Sequence, residues 1–234
     1  MYDAQEIIDA AKRIENEIYE TPLFENSELN AILGGRVFLK PECLQRTGSF
    51  KIRGAYNFMS QLSSTEAENG VVAFSSGNHA QGVAMAGKIL KIKTTIVIPQ
   101  DAPESKIANT KKLGGNVILY DRYKECREKI AKKIAKDTGA ILVPSYDHKD
   151  IIIGQGTVGL EIIQQIRNHS NSLDQVLICC GGGGLSAGSS IAIKDALPET
   201  EIFLVEPKFF NDTKKSFKAG KRISNTPNKQ SICD

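Results

Sequence analysis

The sequence contains no apolar run approaching the roughly 18 residues that cross a membrane. Its opening, MYDAQEIIDAAKR, is acidic and amphipathic, with no signal-peptide core. The five cysteines, Cys43, Cys126, Cys179, Cys180 and Cys233, form no Cys-x-x-Cys pair, and two are neighbours inside a strand-like run. A disulfide framework and a cysteine metal cluster are therefore not expected, and a reducing cytoplasm fits. The three histidines, His79, His148 and His169, show no ligand spacing, so no histidine metal site is assigned. Charge of one sign is also scarce. A net charge of +3 is too small to argue for nucleic acid. The densest lysine run, from Lys124 to Lys136, interleaves Glu125, Glu128 and Asp137 with Ile130, Ala131, Ile134 and Ala135, which describes the wet face of an amphipathic helix.

What is present is a chain of 234 residues, long enough to bury a large core as one big domain or two small ones. Residues 3–18 carry apolar positions at helical spacing, closed off before Thr21-Pro22, and a short helix capped by Ser27 is expected before Gly34-Gly35. Strand signals recur at 71–74, 94–98, 116–120, 140–143, 175–180 and 201–205. Helical stretches lie between them near 78–91, 104–113, 122–138, 155–167 and 184–196. This alternation implies right-handed βαβ units and parallel sheets, with ligands bound past the carboxyl ends of the strands.

Three turns carry the chemistry. The first, TGSFKIRG at 47–54, follows the apolar run Val37, Phe38, Leu39 and precedes a helical pattern, so Ser49 is expected as the N-cap and Lys51 in the first turn. A lysine is disfavoured there by the positive end of the helix, and the same field favours the neutral amine that Schiff-base chemistry needs. The second is SSGNHAQG, where Ser75, Ser76, Asn78 and His79 at a helix mouth offer hydroxyls, an amide and backbone N–H groups to an anion; taken alone, those residue types are better accounted for by an ordinary capped helix start. The third is Gly181, Gly182, Gly183, Gly184, Leu185, Ser186, Ala187, Gly188. Four successive glycines are expected where main chain wraps closely around a phosphate at a helix N-terminus. Gly182, Gly184 and Ala187 also satisfy the dinucleotide pattern G-x-G-x-x-A, with Glu206 where a ribose-binding acid belongs, so the turn alone leaves a nicotinamide-dependent oxidoreductase open.

Taken together, SFKIRGA, SSGNHAQG, GQGT at 154–157 and GGGGLSAG resemble, in order and spacing, the fold-type II pyridoxal-phosphate enzymes of the serine/threonine dehydratase (threonine ammonia-lyase) and serine racemase branch. The resemblance runs over essentially the whole chain. It implies an α/β fold of the tryptophan synthase β-like kind, with two parallel-sheet domains and the cofactor in the cleft between them. Residues 1–68 and 150–234 would form an incomplete large domain, and 69–149 a small capping domain. Lys51 is implied as the Schiff-base lysine, Phe50 as a flank of the cofactor ring and Asn78 as a partner of its phenolic oxygen. Gly181, Gly182, Gly183, Gly184 and Leu185 are implied as the phosphate cradle, and Ser75, Ser76 and His79 as the groups facing the substrate carboxylate, with Ser76 also an acid/base in the racemase. VEPKFFND further resembles a hard-cation site, with Glu206, the carbonyl of Phe210 and Asp212 as ligands for Mg²⁺, Ca²⁺ or Mn²⁺.

The implied activity is dehydration of L-threonine or L-serine to a 2-oxo acid and ammonia. Serine racemase, threo-3-hydroxyaspartate dehydratase and a truncated non-catalytic fragment are the alternatives. A small amino-acid substrate and a homodimeric full-length form are implied, with no nucleic acid and no membrane. Family members continue beyond the equivalent of Asp234, so the chain is expected to be about the first two-thirds of such an enzyme.

Overall fold

The computed structural model describes residues 2–75, 77–169 and 172–225. The first helix, α1 (Ala4–Ile14), opens on a capping box in which the Asp3 side chain accepts from the backbone and Glu6 reaches back to the Asp3 amide. It buries Ile7, Ala10 and Ile14. Strand β1 (Phe24–Glu25) pairs antiparallel with β2 (Phe38–Leu39), and α2 (Ser27–Leu33) lies between them. The cap of α2 is Asn26, whose side chain accepts from the Leu29 amide at 2.9 Å. Ser27 is thus the first helical residue and not the expected cap.

After a 3-10 turn at Glu42–Leu44 comes α3 (Lys51–Met59). Phe50, already in the right-handed region, is its cap residue and makes no side-chain capping bond. Ser49 therefore stands one residue too early to cap, and its hydroxyl is buried without a partner. Helix α3 is buried along nearly its whole length. The short helix α4 (Ser64–Asn69), which the sequence reading left out, starts on a second capping box, Ser63 with Glu66.

The middle of the chain alternates as expected: β3 (Val71–Phe74), α5 (Asn78–Leu90), β4 (Thr94–Pro99), α6 (Glu104–Lys112), β5 (Asn116–Tyr120), α7 (Arg127–Thr138) and β6 (Ile141–Leu142). The four strands form a parallel sheet in the order β5-β4-β3-β6, with Val71 opposite both Thr94 and Ile141. Val72, Ala73, Ile96 and Val97 are wholly buried, as a parallel strand with both faces covered requires.

The last third begins with α8 (Lys149–Ile166), which starts six residues before the expected position; His148 caps it, its Nδ1 accepting from the Asp150 amide at 3.2 Å. Gly154 and Gly156, inside α8, each mark a close helix crossing. A Cβ at Gly154 would lie 2.7 Å from the Gly54 Cα of α3. Strand β7 (Gln175–Cys179), helix α9 (Gly184–Ala196), strand β8 (Glu201–Val205) and helix α10 (Asp212–Ala219) follow. α9 packs on α8 so tightly that a Cβ at Gly188 would fall 2.1 Å from the Ile152 carbonyl oxygen.

β7 and β8 form a two-stranded parallel sheet. One face of it, carrying Val176, Ile178 and Ile202, packs with Val158 and Leu185 of the helices. Leu177, Phe203, Leu204 and Val205 of the same strands are exposed.

Candidate active site

The turns after β3 and β7 and the start of α3 open into one cleft of about 420 Å³, whose lining includes Lys51, Phe50, Ser75, Asn78, His79 and Gly181–Gly184. Residues more than a hundred positions apart are thereby brought together where the parallel-sheet rule expects a ligand. A second hollow, about 300 Å³ between α1 and α8, is lined by Lys12, Glu15, Glu20 and Glu161 and lacks any of these turns.

Lys51 owes its position to packing on both sides of α3. A Cβ at Gly82 would lie 3.0 Å from the Lys51 carbonyl carbon and 3.1 Å from the Ile52 amide nitrogen, so glycine at 82 lets α5 close onto the first turn of α3. Two residues along, the buried Arg53 donates to Glu42 at 2.8 Å and to Glu161 at 2.5 Å, tying α3 to the 3-10 turn and to α8. Lys40 also bonds Glu161. The Gln155 side chain accepts from the Gly54 amide at 3.3 Å, which gives the GQGT stretch a part in the same clamp. Held this way, the Lys51 Nζ donates to the Ser145 carbonyl at 2.8 Å and sits 5.3 Å from the centroid of the Phe50 ring. Burial lowers its pKa from the ordinary 10.5 to about 8.

The glycine turn presents a helix end with no side-chain cap. Gly183, at φ 89°, is the cap residue of α9, and the first amides of that helix have no intrahelical carbonyl to reach. A Cβ added at Gly181 or Gly183 would meet nothing within 4 Å. Free amides, a positive helix end and open space together make an anion cradle. Leu185 turns its buried side chain to Val158 and Ile178 in the core, so only its main chain faces the turn.

In the second turn Asn78 begins α5, and the Ser75 hydroxyl accepts from the Gly77 amide at 3.1 Å. His79 reaches the cleft wall, but its Nε2 lies 3.2 Å from the Val143 carbonyl. Burial first, and the nearby Lys51 charge second, push its pKa down to about 3, so the ring is neutral and donates that proton to the carbonyl. Ser76 lies outside the described residues.

Glu206 and Phe210 fall on the connection between β8 and α10, and Asp212 is the first residue of α10. The Glu206 carboxylate accepts the amides of Thr213 and Lys214, each at 2.9 Å, and so caps α10. Asp212 accepts from the Asn225 side chain at 2.8 Å. Among the described residues no three His, Cys, Asp or Glu side chains are grouped to hold a metal.

Two further wall residues escaped the sequence reading. Arg127, at the start of α7, lays its guanidinium 5.4 Å from the centroid of the Phe74 ring, and Tyr146 lies against the glycine turn. Neither belongs to a local motif. Their only sequence signals are a basic residue opening a helix and an aromatic residue in a loop.

Comparison with known proteins decides between the phosphate and dinucleotide readings of the glycine turn. Residues 14–234 match the family model described as pyridoxal-phosphate dependent enzyme. The chain is 44% identical to an L-threo-3-hydroxyaspartate ammonia-lyase of a Pseudomonas species, over 92% of this chain and 66% of that protein. It is 41% identical to the L-threonine ammonia-lyase of Thermotoga maritima, over 97% of this chain and 56% of the relative. The structure of maize serine racemase superposes with a TM-score of 0.93 at 39% identity, covering 99% of this chain and 69% of the other. The chain thus spans between about half and two-thirds of the length of these relatives. A half-buried lysine and a glycine cradle meet in one cleft of this fold, and the chain belongs to the pyridoxal-phosphate dependent enzyme family, in its fold-type II branch.

Proposed function

We propose that this chain is the first two-thirds of a lyase that removes water and ammonia from a β-hydroxy amino acid, L-threonine or L-serine, giving a 2-oxo acid. The observation that carries the reading is the convergence of a lysine amine of lowered pKa and an uncapped, glycine-lined helix end on one cleft.

The site's chemistry fits pyridoxal phosphate. The cradle at Gly181–Gly184 and the Leu185 amide would hold the phosphate, Lys51 would take the aldehyde, Phe50 would flank the ring and Asn78 would meet the phenolic oxygen. When bound, this cofactor supplies an aldehyde for the amine and an electron sink for the substrate α-carbon.

The remaining work belongs to the chain. Its Lys51 amine, neutral over part of the physiological range, removes the proton on the substrate α-carbon as general base. Ser75, Ser76 and His79 orient the substrate carboxylate, His79 as a neutral group. The hydroxyl leaves from the β-carbon as water, and one water is returned on hydrolysis, so the balance is amino acid to 2-oxo acid plus ammonium. In the racemase alternative Ser76 serves as acid/base opposite Lys51. Movement of the 69–149 segment over the cleft would exclude water.

Arg127 favours a second reading of the substrate. A guanidinium on the cleft wall matches the distal carboxylate of 3-hydroxyaspartate, the substrate named for the Pseudomonas relative. Measuring kcat/KM for both substrates in Arg127→Gln separates the readings: a selective loss with the dicarboxylic substrate supports it, and an equal loss with both removes it.

The proposal extends to a divalent cation at Glu206, the Phe210 carbonyl and Asp212, resting on the sequence pattern. Glu206 would exchange the amides of Thr213 and Lys214 for the ion, so Mg²⁺ or Ca²⁺ should raise the melting temperature of the chain and not that of Glu206→Gln. It includes action in the cytoplasm, supported by the free Cys43, Cys126, Cys179 and Cys180, and a homodimer in the full-length form, supported by family resemblance alone. No described helix is long and apolar enough to cross a membrane.

The central test is to mix the chain with pyridoxal phosphate, trap the adduct with borohydride and locate it by mass spectrometry. The adduct is expected on Lys51 and absent in Lys51→Ala. An adduct on another lysine overturns the reading. Turnover of L-threonine, L-serine and 3-hydroxyaspartate by the same preparation decides between lyase and non-catalytic fragment.

A further inference from the structure

The four glycines of the turn do not share one role. At Gly181 and Gly183 an added Cβ would project into open space, whereas at Gly182 it would lie 2.3 Å from Cγ, 2.4 Å from Cδ1 and 2.6 Å from Cδ2 of Tyr146. At Gly184 it would meet the Tyr146 carbonyl oxygen at 2.9 Å and its Cα at 3.2 Å. The Tyr146 ring and backbone therefore lie directly on alternate residues of the turn, at distances only glycine permits. Tyr146 comes from the connection between β6 and α8, and its neighbour Ser145 supplies the carbonyl that holds the Lys51 amine. Two adjacent residues of one loop thus touch both ends of the cleft: the amine and the anion cradle.

We propose that Tyr146 is a positioning residue whose ring clamps the glycine turn at Gly182, holding the amides at the start of α9 in the arrangement that receives the phosphate monoester of the cofactor. This rests on the reading of the cleft as a pyridoxal-phosphate site and names the part of it that selects the phosphorylated aldehyde. The mechanism is preorganisation. Four consecutive glycines have more backbone freedom than any other tetrapeptide, so a cradle built from them gains affinity when something outside the turn restricts it. A flat ring laid over the second glycine restricts it without using any of the cradle's donors.

The test compares pyridoxal phosphate with pyridoxal, which has the aldehyde and lacks the phosphate, on Tyr146→Phe, Tyr146→Leu and Tyr146→Ala. The readout is the borohydride-trapped adduct at Lys51 as a function of probe concentration, with inorganic phosphate as competitor. Tyr146→Phe is expected to match the unsubstituted chain. Tyr146→Ala should need about tenfold more pyridoxal phosphate, equivalent to about 1.4 kcal/mol, with the value for pyridoxal unchanged and with weaker competition by phosphate. Tyr146→Leu, which fills the same space without a flat ring, should fall between them and stands in if the alanine variant does not fold. Equal losses for both probes, no loss for either, or a loss in Tyr146→Phe as large as in Tyr146→Ala would each overturn the clamp. Failure of the unsubstituted chain to form any Lys51 adduct would instead overturn the cofactor site, so the two failures are distinguishable.

Discussion

The amine of Lys51 and the carbonyl of Ser145, 94 residues apart in sequence, meet at 2.8 Å. The amine donates in either protonation state, and its burial favours the neutral one.

The pH dependence at this position has a fixed sign. In the fold the amine titrates at about 8, and in the unfolded chain near 10.5. Between these values the unfolded chain binds more protons, so stability rises with pH across that window and the cost of the buried ammonium is full below 8. Lys51→Met, which removes the charge and keeps the volume, should be more stable than the unsubstituted chain at pH 7 by about 1–2 kcal/mol, after allowance for the Ser145 carbonyl it leaves unpaired. Urea denaturation should show that advantage shrinking as pH climbs towards 10. The initial rate of adduct formation by the intact chain should rise with pH and level off above about 8.

His79 adds a boundary of the same sign at acid pH. Its folded pKa of about 3 lies below the ordinary 6.5, so the unfolded chain binds the extra proton between those values and stability falls as pH drops through that range. The steep part should cost about 1.4 kcal/mol per pH unit for this one group. Urea midpoints for His79→Gln between pH 7 and 4 should follow a visibly flatter line. An unchanged slope would mean that another group drives the acid loss.

Removing Arg53 should cost far more than removing a surface cation. The guanidinium is wholly buried and bonded to Glu42 and Glu161. Arg53→Met leaves both carboxylates without it and should destabilise the chain by about 3–5 kcal/mol. Because α3 carries Lys51, adduct yield at 37 °C should drop along with the folded fraction. Chemical denaturation measures the first effect and mass spectrometry the second.

The α8–α9 crossing offers a purely steric prediction. A methyl at Gly188 would stand 2.1 Å from the Ile152 carbonyl oxygen and 2.7 Å from the Gly156 amide nitrogen, both backbone atoms that cannot rotate away. Gly188→Ala should therefore destabilise by about 3 kcal/mol or more. Gly35→Ala, where a methyl meets nothing within 4 Å, should stay within about 0.5 kcal/mol. Thermal melts of the two variants side by side provide the check.

Much of this molecule is written locally. The parallel strands lie within a few residues of their apolar runs, because a strand buried on both faces must be continuously apolar. The glycine turn and Lys51 are likewise visible, since each breaks a local expectation: too much glycine, or a lysine at a positive helix end. What escaped depends on distance in sequence. The expected helix begins near 155, whereas α8 runs from Lys149 with Gly154 and Gly156 inside it, where α3 and α9 press against them. Ser49 has the right residue type for a cap but stands one position early, a matter of backbone entry angle. Arg127 and Tyr146 belong to the cleft only through the winding of the sheet. Ser63 and Glu66 did carry a local signal, the capping box spacing, and α4 follows from it.

The bare side of the β7–β8 ribbon has a practical bearing on every titration above. Leu177, Phe203 and Val205 face water there, beside strand rims that pair readily with other strands. Exposed apolar side chains beside open strand edges favour contact between copies, which competes with binding in any titration. Working dilutions should be chosen by light scattering before any affinity is read, since a protomer lost to clumps is indistinguishable from one that does not bind.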